Sequence, residues 1–428
     1  MTMCRIRAVR LWSAAACLTL ALGGRAASAQ PRAPLTVAVS CPGYVPGCDT
    51  DFFQERLAFV RFVRDQADAE VFVLMTSQRT GGGGRGYELL FRGQGARVGG
   101  ARDTLRARAE QDASEDAQRQ VLLRPLALGL AHLSARAGVA EGLSVTYAAP
   151  AATSAAAETA PARDPWDAWV FSVRGSGFAQ GQRSYSSLST NASFSAARVT
   201  ERWKTSLRPG VSYNRSTFTL SDDVTIVSDN MSAGAWGEVV RALGPRTSAA
   251  VLGSVRRSTF ENIAYGAEIG PAFEFNVYPY AESTRRQLRL SYGLSAEAVG
   301  YVDTTIFGRL DERLVRQQGR GTAVFAQPWG SADVGLTLSH YLNRPDKYRA
   351  VLFGNASVRL ARGVSVFGYT SFAFVRDQLS LPLAGATDEE ILTRQRLLAT
   401  SFDYFGQIGL SYTFGSVYNQ AVNARFGG

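Results

Sequence analysis

The sequence is short of long apolar runs, of lysine and of cysteine. Beyond residue 30 the most apolar stretch is Val121–Leu133, but Arg124 and His132 interrupt it, so it falls short of the roughly 20 apolar residues of a membrane-spanning helix. Four cysteines in 428 residues are too few for a disulfide-rich scaffold. Among 46 basic residues only Lys204 and Lys347 are lysines. The arginines are dispersed rather than clustered, which argues against nucleic-acid binding.

Aromatic residues and glycine, in contrast, are plentiful. Aromatics make up 11% of the chain and hydrophobic residues 46%, a composition that excludes a disordered chain. The 42 glycines accompany 16 tyrosines and 23 phenylalanines, a mixture that favours β-structure with close backbone contacts. The length allows one large domain or two smaller ones.

Residues 1–29 have the anatomy of a secretory signal peptide. Arg5, Arg7 and Arg10 precede the apolar segment Leu11–Leu22, and an Ala-Ser-Ala cleavage site follows. Removal of this segment takes away four arginines and no acidic residue, which lowers the net charge from +10 to +6. The mature chain is therefore predicted to leave the cytoplasm.

Two cysteines remain in the exported chain, Cys41 and Cys48, within the segment CPGYVPGC. In an oxidising compartment this spacing predicts a small-loop disulfide. A zinc site would need two further Cys or His ligands nearby, and the first histidine is His132. We expect neither a metal site nor a cofactor.

Two further patterns suggest a phosphate-binding loop and a catalytic pair, but their geometry does not fit these functions. Gly81–Gly84 lacks the Lys-Ser/Thr pair and the following helix of a phosphate loop, and instead predicts a hairpin turn. Ser339 and His340 are adjacent in a predicted strand, so their side chains point to opposite faces and cannot form a nucleophile–base pair. No catalytic residues are expected, and the sequence does not predict an enzyme.

Residues 31–148 predict a small α+β domain in the order β-α-β-β-α-(β). Asp49 or Thr50 is the predicted N-cap of its first helix. The strand candidates are Leu35–Ser40, Glu70–Thr76, Tyr87–Arg92 and Leu143–Tyr147, and the helix candidates are Asp51–Gln66 and Ser114–Ala135. Residues 149–163, rich in Ala, Pro and Thr, predict a linker to a second body.

Residues 164–415 alternate apolar and polar side chains, most clearly over Phe402–Phe414. A soluble β-sandwich and a transmembrane β-barrel both produce this pattern. Arg and Glu in mid-strand favour the barrel, as do connections that alternate between short and long. Aromatic residues near predicted strand ends, typical of interfacial girdles, favour it too: Trp166, Trp169, Trp203, Tyr278, Tyr280, Trp329 and Tyr404.

The connections divide the second body into twelve strands. The predicted short turns are Thr200-Glu201, Gly244–Thr247, Ala281–Thr284, Trp329–Ser331 and Arg362-Gly363, and the predicted longer loops are Ser221–Val224, Thr259–Ala264, Asp303–Arg316, Asn343–Tyr348 and Gln378–Leu398. An even count leaves both barrel ends in the periplasm, on the side of the first domain, with residues 416–428 as a periplasmic tail. The predicted fold class is mainly β, a twelve-stranded antiparallel transmembrane β-barrel preceded by a small α+β domain.

Strand parity predicts which charges face the barrel lumen. These are Arg174, Lys204, Arg208, Glu238, Glu268, Glu274, Arg289, Glu297 and Arg359. One hypothesis is the lining of an ion-selective pore, and the other is a network of ion pairs that fills a narrow lumen.

Two further segments of the second body are candidates for contacts or ligand binding. Arg376–Arg396 is a candidate constriction or ligand loop, and Tyr278–Arg286 is either an interfacial anchor or a contact to the first domain.

The last strand ends in GQIGLSYTF, which is similar to the terminal signal that outer-membrane barrels offer to their assembly machinery, with Tyr412 and Phe414 as its aromatics. The mature chain also resembles a bacterial family of outer-membrane barrels with an N-terminal periplasmic domain and no settled function, and more loosely the salt-induced outer-membrane barrel proteins. The resemblance lies in residues 48–84, 164–173, 278–289, 327–334, 376–382 and 414–427. It implies outer-membrane lipid and the assembly machinery as partners, and brings no catalytic residue.

These observations predict a protein of the bacterial outer membrane with its first domain in the periplasm. The leading hypothesis is a narrow channel or envelope-integrity barrel whose periplasmic module binds an envelope protein. A non-conducting anchor that displays the first domain is the alternative from another class. A lipid-acting enzyme is the third, and it would need a nucleophile and base that we do not find in a chain with two histidines.

Overall fold

The structure, a computed structural model, describes residues 33–144, 146, 164–221, 224–384 and 397–415. The predicted signal peptide, the linker over 149–163 and the tail over 416–428 lie outside these residues. Within the described ranges, no helix combines the length and apolar character that a membrane crossing requires. From Pro34 onward the described residues pack as one unit.

The N-terminal domain is built on a five-stranded mixed sheet with the order β2-β1-β3-β4-β5. β1 runs parallel to both β2 and β3, and the other pairs are antiparallel. The strands are β1 (Thr36–Ser40), β2 (Arg61–Phe62), β3 (Val71–Arg79), β4 (Arg85–Gly93) and β5 (Arg102–Ala109), and the helices are α1 (Thr50–Arg56) and α2 (Glu115–Arg136). The hairpin turn predicted at Gly81–Gly84 joins β3 to β4.

Helix α2 supplies most of the cover for this sheet. Its buried side chains Leu122, Leu126, Leu130 and Leu133 recur at helical spacing and enter the same core as the strand residues. Ser114 caps its first turn by accepting a hydrogen bond from the Ala117 amide at 3.2 Å. The predicted second helix is therefore confirmed.

The first helix is shorter than predicted. Asp49 caps α1 as expected, accepting from the Phe52 amide at 3.0 Å, but the helix ends at Arg56 instead of Gln66. The apolar residues after it serve another element, because Arg61–Phe62 pairs in parallel with β1. Phe62 reaches the core from this short strand and Val60 from the residue before it, in a stretch that was predicted to be helical.

Two strand predictions in this domain were also wrong. β5 was missed, although Leu105 and Ala107 alternate with Arg106 and Arg108 as a half-buried strand requires. The strand predicted over Leu143–Tyr147 does not form at its described positions 143, 144 and 146. β5 forms one edge of the sheet, beside β4.

The C-terminal body is one twelve-stranded antiparallel sheet in which every strand pairs with its neighbours in the chain. The strands are β6 (Trp169–Gln182), β7 (Tyr185–Val199), β8 (Trp203–Ser221), β9 (Val224–Ala242), β10 (Thr247–Ser258), β11 (Ile263–Asn276), β12 (Arg286–Tyr301), β13 (Asp311–Gln327), β14 (Gly330–Tyr341), β15 (Arg344–Ala361), β16 (Val364–Val375) and β17 (Phe402–Tyr412). The predicted count of twelve is confirmed. Closure into a barrel would need one more ladder between β6 and β17, where the pairings of the described strands end.

The two ends of the sheet differ, but less regularly than predicted. Tight turns join β7 to β8, β9 to β10, β13 to β14 and β15 to β16, and we call this end of the sheet the turn end. At the opposite, loop end the connections after β6, β8 and β14 are also only two residues long, so the alternation of short and long connections fails there. Residues 311–316 and 344–348, expected in loops, extend β13 and β15.

Candidate functional site

The candidate site is the polar face of the twelve-stranded sheet, defined as the face that carries Glu268 and Glu297. Residues paired directly across two antiparallel strands point to the same face, so the register assigns each side chain to a face. This rule puts all nine charges predicted for the lumen on the polar face: Arg174, Lys204, Arg208, Glu238, Glu268, Glu274, Arg289, Glu297 and Arg359.

Two carboxylates stand opposite each other at the centre of this face. Glu268 pairs in register with Glu297, a like-charge pair that destabilises a sheet when it is left uncompensated. Arg316 forms an ion pair with Glu268, and Arg256 contacts Glu297 at 2.6 Å. Tyr341 adds a hydrogen bond to Glu297 at 3.4 Å. Each acid is therefore neutralised by an arginine two strands away.

Nearer the turn end, the charges pair more locally. Lys204 Nζ lies 2.7 Å from Glu238 Oε1, which also accepts from Ser206 at 3.0 Å. The guanidinium of Arg208 lies 5.3 Å from the centroid of the Trp236 ring, on the same face. Lys204 and Glu238 therefore compensate each other, and Arg208 rests on an aromatic surface.

The remaining predicted charges have different surroundings. Glu274 accepts a hydrogen bond from the Tyr280 hydroxyl at 2.8 Å, so Tyr280 lies on the polar face and not in the predicted interfacial girdle. Arg289 lines the cavity beside Glu274. Arg174 lies exposed on β6, and Arg359 approaches the N-terminal domain at the turn end.

Three cavities follow one another along the polar face, from the turn end to the loop end. Their volumes are about 460, 350 and 330 Å³. Trp236 and Leu252 line both of the first two cavities, and Glu268 and Arg316 line both of the last two. The cavities therefore adjoin, and form one polar track across the described sheet.

Loops cover the loop end of this track. Leu379, from the connection after β16, is buried with Ile263, Val299, Leu314 and other residues of the polar face. Its neighbour Asp377 pairs with Arg349 of β15 at 2.9 Å. The described part of the predicted constriction segment Arg376–Arg396 therefore folds back over the polar face.

Contacts to the N-terminal domain lie at the turn end. Asp65 accepts a hydrogen bond from the Gly363 amide at 3.0 Å, and Asp68 pairs with Arg362 at 2.8 Å. In the segment Tyr278–Arg286, Ser283 and Thr284 contact Gln78 and Glu88 of the domain, while Arg286 lies 4.5 Å from the Tyr278 ring centroid. The contact to the first domain is therefore present, and the interfacial anchor stays a prediction.

Sequence reasoning missed several members of the polar face. Arg256 is followed by Arg257, so composition alone does not say which of the two points to Glu297. Glu312, Arg316 and Arg344 lay in segments predicted as loops, although their side chains form ion pairs between strands two positions apart in the sheet. Strand registers were needed to find them.

Three other predicted features are also located. Cys41 and Cys48 form a disulfide. The rings of Tyr412 and Phe414 stack with centroids 5.3 Å apart, at the exposed end of β17. The described residues contain no cluster of three His, Cys, Asp or Glu side chains that could hold a metal ion.

No family model matches the sequence, and no curated protein matches it. Solved structures align with part of the chain. The translocator domain of the autotransporter NalP from Neisseria meningitidis aligns over 57% of this chain and 87% of its own, at 15% identity and a TM-score of 0.26. The NanC porin aligns over 56% of this chain and 99% of its own, at 10% identity and a TM-score of 0.27. Similarity at this level assigns neither a partner nor an activity to this chain.

Proposed function

We propose that the chain is a bacterial outer-membrane β-barrel in which the polar face lines a narrow passage for small solutes. The observation that carries this proposal is the row of adjoining cavities along the polar face, bordered by charges of both signs. A hydrophobic core would fill this face with apolar side chains. Here the ion pairs narrow the space and still leave a continuous track.

The opposite face supports a lipid environment. Ile408, Val173 and Ile269 are 83, 81 and 62% exposed, and large apolar side chains continue in this way across the sheet. A soluble protein rarely exposes so extended an apolar surface. Lipid chains would cover such a face in a bilayer. Transmembrane strands show the same alternation of apolar lipid-facing and polar lumen-facing residues.

Single-channel conductance of the refolded full chain in planar bilayers tests the proposal. We expect discrete conductance with an ion selectivity that Arg208→Gln shifts towards cations and Glu274→Gln shifts towards anions. Arg313→Gln is the matched control, since its side chain lies on the apolar face by register. It should leave the selectivity unchanged.

If the chain is shown to be folded and still does not conduct, the proposed passage is contradicted. The measurement should be made both with the contacts of the N-terminal domain intact and with them broken. The non-conducting anchor would then be the better hypothesis. A conductance whose selectivity responds equally to Arg208→Gln and Arg313→Gln would also count against it, because the polar face would then have no special role.

A further inference from the structure

The side of the N-terminal domain that meets the twelve-stranded sheet is acidic and closely fitted. We call it the docking surface and define it by Asp65, Asp68, Gln78, Gly81 and Glu88. Asp65 and Glu88 are only 8 and 7% exposed, although carboxylates are seldom buried without partners. Each has one partner in its own domain: Arg106 lies 3.5 Å from Glu88, and the Ala67 amide donates to Asp65 at 2.9 Å. Their other partners lie at the turn end of the sheet, so docking completes the set of contacts around these acids.

The first group of contacts holds the turn between β15 and β16. The two oxygens of Asp65 face the Gly363 amide at 3.0 Å and the Arg359 guanidinium at 3.9 Å. Asp68 contacts Arg362 at 2.8 Å. A backbone donor and two arginines therefore converge on two carboxylates of one short segment.

The second group lies at the connection between β11 and β12. The Ser283 hydroxyl donates to Gln78 at 3.3 Å, and the Thr284 hydroxyl donates to Glu88 at 2.5 Å. On the neighbouring hairpin turn, Gly81 packs so closely that an added Cβ would lie 2.7 Å from the Cβ of Val199, at the end of β7. At Gly82 an added Cβ would meet no atom within 4 Å.

These contacts span most of the turn end. β7 and β15 are eight positions apart in the sheet order, and the domain touches both. Residues 40–43 of the domain also border a cavity of about 360 Å³ together with Trp329, from the turn between β13 and β14. The domain therefore bridges connections on widely separated strands at the end where the polar track begins.

From this placement we infer that the N-terminal domain is a lid over the turn end of the polar passage. The inference rests on the proposed function, since a lid needs a passage to close. The partner that fits the docking surface is this chain's own set of turns, in which arginines, hydroxyls and a backbone amide face the acids. Solutes cross when the domain undocks.

A disulfide cross-link tests the docking independently of conductance. Gly81→Cys with Val199→Cys should oxidise efficiently in the full chain, because disulfide Cβ atoms lie about 3.5–4.5 Å apart and a small shift reaches that distance. Gly82→Cys with Val199→Cys is the matched control from the same turn and should oxidise far less. Failure of the first pair to exceed the control would overturn the docking and with it the lid.

Conductance tests the closure. The variant with Gly81→Cys and Val199→Cys should conduct less when its new disulfide is oxidised than when it is reduced. Because the reductant also acts on the native disulfide Cys41–Cys48, the unsubstituted chain under the same reductant is the control. Asp68→Lys should raise the open fraction about fivefold, the factor that corresponds to ~1 kcal/mol of lost pairing, and Asp68→Arg with Arg362→Asp should restore it.

The two proposals fail in different ways. Steady conductance that is unaffected by the cross-link and by Asp68→Lys would overturn the lid and leave the passage intact. A second outcome overturns both proposals. If the Gly81/Val199 pair cross-links efficiently and the folded Asp68→Lys variant still does not conduct, the domain docks but there is no passage for it to close.

Discussion

At the scale of single residues, Asn262 joins three connections at the loop end. Its backbone is left-handed, with φ of 60°, and its Nδ2 donates to the carbonyls of Asp303 and Ser380, both at 2.9 Å. Its Oδ1 accepts from the Asp303 amide at 2.8 Å. Asparagine suits this position because its side chain tolerates the left-handed region and carries both a donor and an acceptor.

We therefore expect two substitutions of Asn262 to differ in cost. Asn262→Gly removes the side-chain hydrogen bonds but still allows the left-handed backbone conformation. It should lower the free energy of unfolding by about 2 kcal/mol. Asn262→Ala adds backbone strain, and should cost about 1 kcal/mol more. Urea unfolding in micelles measures the difference, and proteolysis over residues 376–384 reports loop release. Equal costs would contradict a left-handed constraint at this residue.

Glu70 makes the stability of the N-terminal domain depend on pH. Hydrogen bonding from Arg97, at 2.8 Å to Oε1, lowers the pKa of this carboxyl, and the Thr36 amide lowers it further against the opposing effect of burial. A lowered folded pKa means that the stabilisation is present above the unfolded value of about 4.3 and is lost as the pH falls through the folded value.

Glu70→Gln should therefore cost about 1 kcal/mol at pH 7 and progressively less below pH 4. Thermal unfolding between pH 7 and pH 3 checks this, with Glu55→Gln, an exposed acid of α1, as the control for net charge. A constant difference between Glu70→Gln and the unsubstituted chain across that range would contradict the linkage.

At the scale of elements, α2 reaches β4 through Gly129. A Cβ at this position would lie 2.4 Å from the Phe91 ring, which is itself buried in the core. Gly129→Ala should therefore destabilise the domain by about 1–3 kcal/mol through overpacking, despite the better helix propensity of alanine. Adding Phe91→Leu should make the two costs less than additive in chemical denaturation. Strict additivity would mean that the ring does not oppose the helix here.

The elements also show what the sequence can predict. The β-strand period and the turn residues give twelve strands, because each strand is long and its two faces differ in polarity. α1 was overextended because Leu57, Val60 and Val63 fit a helical period, whereas the helix ends at Arg56 and the chain pairs in parallel with β1 at Arg61 and Phe62. Such a pairing is non-local, and the local pattern carries no trace of it.

The candidate site also has a part that the sequence predicts and a part that only the fold reveals. Parity within a strand is a local property, and it assigned nine charges to one face. Which charge meets which depends on the register between strands, so the compensation of Glu268 and Glu297 by Arg316 and Arg256 became visible only in the fold. The contacts of Asp65 and Asp68 with residues almost 300 positions later were beyond any local pattern.

At the scale of the whole molecule, the proposed membrane location has a consequence for the two edge strands of the sheet, β6 and β17. β6 begins at the turn end and β17 ends there, so their directions are already antiparallel. Their outer edges carry 14 and 11 residues of backbone, whose unpaired groups would each cost several kcal/mol in a bilayer. Pairing of β6 with β17 removes that cost and encloses the polar face.

We therefore expect β6 and β17 to be closed against each other in lipid. Amide hydrogen exchange in bilayers measures this with an internal reference, because β11 and β12 are paired on both sides. Closure protects every amide of β6 and β17 to the level of those two strands. In an open sheet, only alternate amides of β6 and β17 would be protected, since the other half point away from the single neighbour. That alternating pattern in lipid would contradict the barrel, and both the passage and its lid would then lose their lumen.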